Sequence, residues 1–308
     1  MTEYQQYLDE KLHQMRAVCL SQWDYVTYAD LNTWLEDNFN DDVEGKYYAT
    51  KILLHTLYYK KKDIEKLLQH GLDELIYGEM VKEQLIQEKN IYLSSSEALA
   101  KVEKLKELTF FMPLLDSNKP HESGNTIISS LVHKQYIKAE QVDFHWNITK
   151  DKLSKYKILI CVDDCIGSGN QLRRFWRSER IIELRKVCQE LGIKIYYLVL
   201  IGYDKNLAKL KEAPELNGIE IVVCDLLTDS NRVFAPENII WNKDENERQK
   251  AIDYFENLKK RKGVSFLGFK RLDFAVILND RVPNWTLPIL WKEVAGWKYL
   301  VKRKGSAK

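Results

Sequence analysis

Hydrophobic positions along this chain recur at two different periods. In the first hundred residues they fall three and four apart. Leu53, Leu54, Leu57 and Tyr58 form one such set; Ile64, Leu67, Leu68, Leu72, Leu75 and Ile76 form another. This spacing predicts amphipathic helices. Helix starts are legible too. Thr27 with Asp30 reads as a helix start, and Ser94 with Glu97 matches a capping box, in which two side chains satisfy amides that the first turn leaves over. Asp63 reads as an N-cap before Ile64. No proline precedes Pro113, in keeping with a helical region. Near residue 107 the pattern changes. Apolar runs at 108–115, 158–162, 193–201, 219–227 and 274–278 alternate with amphipathic stretches at 126–137, 171–191 and 206–210. Continuous apolar strands separated by helices predict a parallel sheet covered on both faces. The expected fold class is α/β, an open, mainly parallel sheet preceded by an all-helical N-terminal region. The expected organisation is a helical region over 1–105, an α/β domain over 106–300 and a basic tail at 301–308.

Composition narrows the classes. Of 308 residues, 45% are hydrophobic and 30% charged, which allows a sizeable core and excludes global disorder. Lys and Arg number 47 against 45 Asp and Glu, so net charge gives no reason to expect nucleic-acid binding, although local patches could support it. No apolar run reaches the roughly 18–20 residues that span a bilayer. The start, MTEYQQYLDEKLHQ, lacks the basic and apolar segments of a signal peptide. Five scattered cysteines, an odd number, fit reduced thiols and a cytoplasmic setting. With 13 Gly and 6 Pro, repeat fibres and flexible linkers are excluded.

The stretch richest in chemistry is ILICVDDCIGSGNQLRRF, residues 158–175. An apolar strand ends in Asp163 and Asp164, where open α/β sheets place their ligands. Ile166, Gly167, Ser168 and Gly169 follow, then a helix opening at Asn170 and Gln171. Such a turn aims backbone N–H groups at one spot, and the helix dipole favours an anion there, a phosphate above all. Ser168 adds a hydroxyl. Adjacent carboxylates can accept hydrogen bonds from sugar hydroxyls or bind Mg²⁺ through water. Together they suggest a ribose 5-phosphate group. The competing account is an ordinary strand-to-helix turn whose acids cap the helix.

This segment resembles the phosphoribosyl-pyrophosphate (PRPP) signature of type I phosphoribosyltransferases. Three further segments make the chain similar to the PRTase-CE type of phosphoribosyltransferase-like proteins from bacterial anti-phage conflict systems, retron-associated effectors among them. They are the leader LNTWLEDNFNDDVEGKYYATKILLHTLYYKKKDIEKLL, the loop HESGNTII at 121–128, and VPNWTLPILW at 282–291. The resemblance covers about residues 31–291. It implies that Asp163 and Asp164 contact the ribose hydroxyls. It implies that residues 167–171 hold the 5′-phosphate, and that Ser123, Gly124 and Asn125 form the pyrophosphate-facing loop. An active enzyme would displace pyrophosphate from ribose C1 with a nitrogen nucleophile, assisted by Mg²⁺. The same pocket could serve as a nucleotide sensor, and the chain could bind a reverse transcriptase or its nucleic acid. Two features depart from the enzyme pattern. Gln171 stands where threonine is common, and residues 138–157 read as structured instead of as a mobile loop.

Other residues carry open alternatives. Ser123 to Asn125 could simply cap a helix, and Asn284, Thr286 and Pro288 read as a structural turn. Cys161 and Cys165 read as small core residues. The six histidines show no metal spacing, and His121 alone lies near the proposed loop. Arg173, Arg177 and Arg180 share one helical face; interspersed Glu179 and Glu183 suggest a salt-bridged surface, and an anionic partner is the alternative. Lys60–Lys62 and Lys259–Lys262 raise the same alternative. Arg232, at a strand exit, is a candidate for reaching a ligand phosphate.

Overall fold

The computed structural model describes residues 2–89, 92–115 and 123–303. In chain order the first elements are α1 (Glu3–Gln22), α2 (Tyr28–Phe39), α3 (Val43–Leu54), β1 (Leu57–Tyr59), α4 (Lys61–His70), α5 (Glu79–Gln87) and α6 (Ser95–Glu107). There follow β2 (Thr109–Pro113), α7 (Ser123–His133), α8 (Lys150–Leu153), β3 (Ile158–Ile166), α9 (Asn170–Trp176) and α10 (Glu179–Leu191). The last are β4 (Lys194–Tyr203), α11 (Asp204–Lys211), β5 (Ile219–Leu227), α12 (Glu245–Lys262) and β6 (Val276–Leu278). The architecture is α/β with parallel strand pairing and a helical N-terminal region, α1 to α3. Two compact units form: Met1–Ile64 with Leu227–Lys308, and Glu65–Leu226. Among the described residues no helix is long and apolar enough to cross a membrane.

Local chemistry explains several boundaries. Thr27 with Asp30 and Ser94 with Glu97 form the capping boxes expected of them, at the starts of α2 and α6. Asp63 does not act as an N-cap, because α4 already begins at Lys61; from inside the first turn its carboxylate accepts the Lys60 N–H at 3.1 Å. The helical spacing across Leu53 to Tyr58 also fails. α3 stops at Leu54 and the chain extends, because Leu57–Tyr59 pairs in parallel with Val276–Leu278. A long-range ladder here overrides a local period. The run from Ile64 to Ile76 stays helical but widens into a π-helical segment, Gly71–Gly78. A methyl group on Gly71 would stand 2.6 Å from Cys224 Sγ and 2.7 Å from Leu198 Cδ1, so the segment is seated tightly on the sheet.

The main sheet has the order β2-β3-β4-β5, with β2/β3 and β3/β4 parallel. The registers run from Thr109↔Ile158 and Ile158↔Lys194. All five β2 residues are buried, the signature of a strand covered on both faces. On one face Leu159, Cys161, Tyr197 and Val199 pack with Trp176, Ile181, Leu184 and Cys188 from α9 and α10. The run at 274–278, expected in this sheet, pairs instead with β1 in a separate two-stranded sheet. The single helix expected over 171–191 is two, with Ser178 between them donating its hydroxyl to the Phe175 carbonyl at 2.7 Å.

In the other unit the core is aromatic. Trp297 meets Trp34 and Phe39 edge-on, with centroids 6.0 and 5.3 Å apart. Buried Lys51 is paired with Glu247 and surrounded by the rings of Tyr7, Tyr47 and Trp241. A buried ammonium needs such partners to offset its lost hydration.

Candidate functional site

β3 does not stop at Val162. It continues through both acids to Ile166, in register with β4 as far as Gly202. Asp163 lies in the strand positions of Leu159 and Cys161, and the alternation of strand side chains turns Asp164 to the opposite face. Asp163 is 3% exposed. Its Oδ2 accepts the Tyr197 hydroxyl at 3.2 Å and its Oδ1 accepts the Asp164 N–H at 2.9 Å. Burial, and then the negative charge of Asp163, hold the Tyr197 phenol far above its ordinary pKa, so it stays a donor. Asp164 is partly exposed.

The turn after β3 is braced from α11. Asn206 Nδ2 donates to the Gly167 carbonyl at 2.8 Å. Gly169 has φ +72°, and a methyl group on it would lie 2.5 Å from Leu210 Cδ1. Both conditions call for glycine. Ser168 is partly exposed, and its Oγ accepts the Asn170 N–H at 3.5 Å. Ile166, Gly167 and Gly169 are buried; Asn170 and Gln171 are exposed. Because α9 has only seven residues, its dipole is smaller than that of the long helix the sequence led one to expect.

The second predicted loop arrives at the same sheet edge. A methyl group on Gly124 would stand 2.7 Å from the Val162 carbonyl oxygen and 3.1 Å from Leu114 N and O. The first turn of α7, with Ser123, Gly124 and Asn125, therefore lies on the carboxyl end of β2 and the middle of β3, one residue before Asp163. Asn125 is partly exposed. His121 lies outside the described residues.

Residues 31–303 match the PRTase-CE family. The chain belongs to that family. It is a phosphoribosyltransferase-like protein. No curated protein matches the sequence.

In this PRTase-CE protein the arginines following the turn do not lie on one helix, since Arg173 belongs to α9, Arg177 caps its end and Arg180 belongs to α10, and each is engaged by its own surroundings. Arg177 pairs with Glu215 at 2.8 Å and Arg173 with the same carboxylate at 3.7 Å. Arg180 donates to the carbonyls of His145 and Ile148, and Arg185 to those of Glu215 and Asn217. Arg232, in the unit holding both chain ends, donates Nε to Asp273 Oδ1 at 2.6 Å. Thr286 is buried and donates to the Val276 carbonyl at 2.9 Å, while Pro288 opens a 3₁₀ turn; both have structural work. Cys161 is buried, and burial raises its thiol pKa; Cys165 is partly exposed. The interval at 138–157 is structured. Val142 bridges Phe111 of β2, and Asp143 binds Lys152, Asn147 and the Phe144 amide. Tyr197, Asn206 and Leu210 are the supporting residues that sequence reasoning missed. Asn206 alone had a usable signal, a polar side chain just past the carboxyl end of a sheet strand.

Proposed function

We propose that this protein binds a ligand containing ribose 5-phosphate, PRPP or a nucleotide, as an effector or regulator in bacterial anti-phage defence. The observation that carries the reading is convergence. The start of α7 comes from a separate stretch of chain and packs on β3 at Val162, next to the signature acids and ahead of the turn at 167–171. On this reading residues 167–171 take the 5′-phosphate, residues 123–125 face pyrophosphate, and the acids face the ribose. If the protein is catalytic, the reaction is transfer or cleavage at the glycosidic carbon.

A non-catalytic nucleotide sensor is the second reading. The pinned interval at 138–157 favours it, since a segment tied at Val142 and Asp143 is poorly suited to closing over a substrate. A retron reverse transcriptase and its nucleic acid are the proposed partners. Magnesium fits in a limited way. Among the described residues no three metal-binding side chains group together. Asp163 already accepts two hydrogen bonds, so Asp164 and the ligand's own oxygens would hold the ion, as Mg²⁺ sites with few protein ligands do. A bound Mg²⁺ would offset the charge of the pyrophosphate.

Calorimetric titration of PRPP with Mg²⁺ tests the reading, with the Asp163→Asn, Asp164→Asn double variant as control. Binding by the wild type and its loss in a folded double variant are expected. Unchanged binding by the double variant would remove the ribose assignment. Co-purification of a reverse transcriptase or nucleic acid, checked in rising salt, tests the partner.

A further inference from the structure

We infer that the two signature acids have separate tasks: Asp164 alone contacts the ligand, while Asp163 and Tyr197 form an internal brace that positions it. This rests on the proposed phosphoribosyl reading and divides its labour. Three observations lead to it. First, β3 remains a strand through both acids, and neighbouring residues of a strand face opposite sides. The two carboxylates therefore face different surroundings. Second, Asp163 is 3% exposed and Tyr197 1%, with the phenol donating to the carboxylate at 3.2 Å. Third, the other oxygen of Asp163 accepts the backbone N–H of Asp164 at 2.9 Å. The β3/β4 register passes from Asp163↔Val199 to Cys165↔Ile201, so the Asp164 amide is held by a side chain at this point. The chain of contacts runs from the Tyr197 hydroxyl through the Asp163 carboxylate to the Asp164 backbone. It ends two residues beyond the Val162 carbonyl on which α7 begins.

The brace and the contact respond differently to isosteric replacement. Asn at 163 keeps a carbonyl oxygen for the Asp164 amide and stays the size of Asp. Asn at 164 loses the negative charge that would accept sugar hydroxyls. A hydrogen bond to a charged group is worth roughly 10- to 100-fold in affinity. Titration of PRPP with Mg²⁺ should therefore give a dissociation constant within about threefold of wild type for Asp163→Asn. Asp164→Asn should weaken binding at least about tenfold, and Asp163→Ala should too, because it removes the acceptor. Tyr197→Phe should fall between them. A folded Asp163→Asn protein that loses binding as fully as Asp164→Asn would overturn the division. A thermal-denaturation cycle of Asp163→Asn with Tyr197→Phe supplies a readout without ligand: the brace requires the double variant to lose less than the sum of the singles. Additive losses overturn it, and this arm remains decisive should Asp163→Ala fail to fold. If wild type does not bind PRPP, the phosphoribosyl reading and the contact assigned to Asp164 fall together, and the cycle still decides the brace.

Discussion

Replacing Gly169 by alanine tests how the phosphate-loop candidate is held. Two costs fall on one methyl group. The residue sits at φ +72°, where a side chain costs about 1–2 kcal/mol. The new carbon would also lie 2.5, 2.6 and 2.9 Å from Leu210 Cδ1, Cδ2 and Cγ, and overpacking of this kind costs about 1–3 kcal/mol. Against them stands the reduced freedom of the unfolded chain, about 0.4–1 kcal/mol in favour of alanine. Gly192 provides the control. It lies in the same unit, at φ +65°, with nothing within 4 Å of the added carbon. Gly192→Ala therefore carries the backbone cost and the unfolded-chain gain without the clash. The difference between the two variants should be about 1–3 kcal/mol, with Gly169→Ala the less stable. Urea unfolding followed by tryptophan fluorescence reads it, since Trp176 is buried at the end of the adjacent α9. Combining Gly169→Ala with Leu210→Ala should recover part of the loss, a coupling of about 0.5–3 kcal/mol. Equal losses at 169 and 192 would refute the reasoning, because Leu210 could not then be seated beneath the turn.

Three further outcomes are expected. Asp273→Ala should destabilise by about 1–3 kcal/mol in equilibrium unfolding, because it takes away the acceptor that the buried Phe234 amide has at 2.8 Å and the Arg232 Nε contact at 2.6 Å, while Arg232 keeps Asp229 at 3.8 Å; a loss below about 0.5 kcal/mol would show that the carboxylate contributes little. Arg180→Met should cost about 1–3 kcal/mol, measured in the same way, since two carbonyls lose a charged donor, and it should leave PRPP affinity unchanged. Asp143 responds to pH. Burial raises its pKa, but hydrogen bonds led by the one from Lys152 outweigh this and leave the folded value below the usual 3.8. A depressed carboxylate pKa gives stability that is present above the unfolded value and lost as pH falls through the folded one. The stability gap between wild type and Asp143→Asn should therefore be constant near neutrality and close below about pH 4. A gap that widens on acidification would reverse the sign.

How much was legible in the sequence depended on the range of the forces involved. The capping boxes at Thr27 and Ser94 are local chemistry, and they form where the residues place them. The apolar runs of β2, β3 and β4 are continuous and bounded, and they are buried as the pattern predicts, whereas β5 is mostly half-buried with Glu220 and Leu226 exposed, so its run did not report burial on both faces. The errors lie where distant pairing decides. Nothing near Leu57 announces that it will donate its amide to Ala275, and nothing near Phe274 announces that β6 will leave the main sheet for β1. The π-helical segment at 71–78 opens at Gly71, which lies against Leu198 and Cys224, far away in sequence. In each case a helical or strand pattern was present, and a partner elsewhere in the chain chose between outcomes of similar local free energy.

The candidate site divides along the same line. Its glycines were readable, because Gly167 and Gly169 flank a turn entering a helix whatever lies around them. Both acids were assigned to the ribose by the resemblance; what the sequence did not show is that β3 runs on past Val162, where the apolar run ends, through both of them. In a strand the two carboxylates point to opposite faces, and here one of them is buried. What carries the strand four residues further is β4, which runs to Tyr203 and pairs Cys165 with Ile201 and Ile166 with Gly202. Gly202 makes this possible, for an added methyl there would lie 3.0 Å from Ile166 Cγ2 and Leu207 Cδ1. The close fit of Ile166 over Gly202 thus keeps Asp163 inside and Asp164 at the edge. A side chain at 202 would press on the last strand residue before the glycine turn, so the allocation of the two carboxylates is set as much by this contact as by the acids themselves.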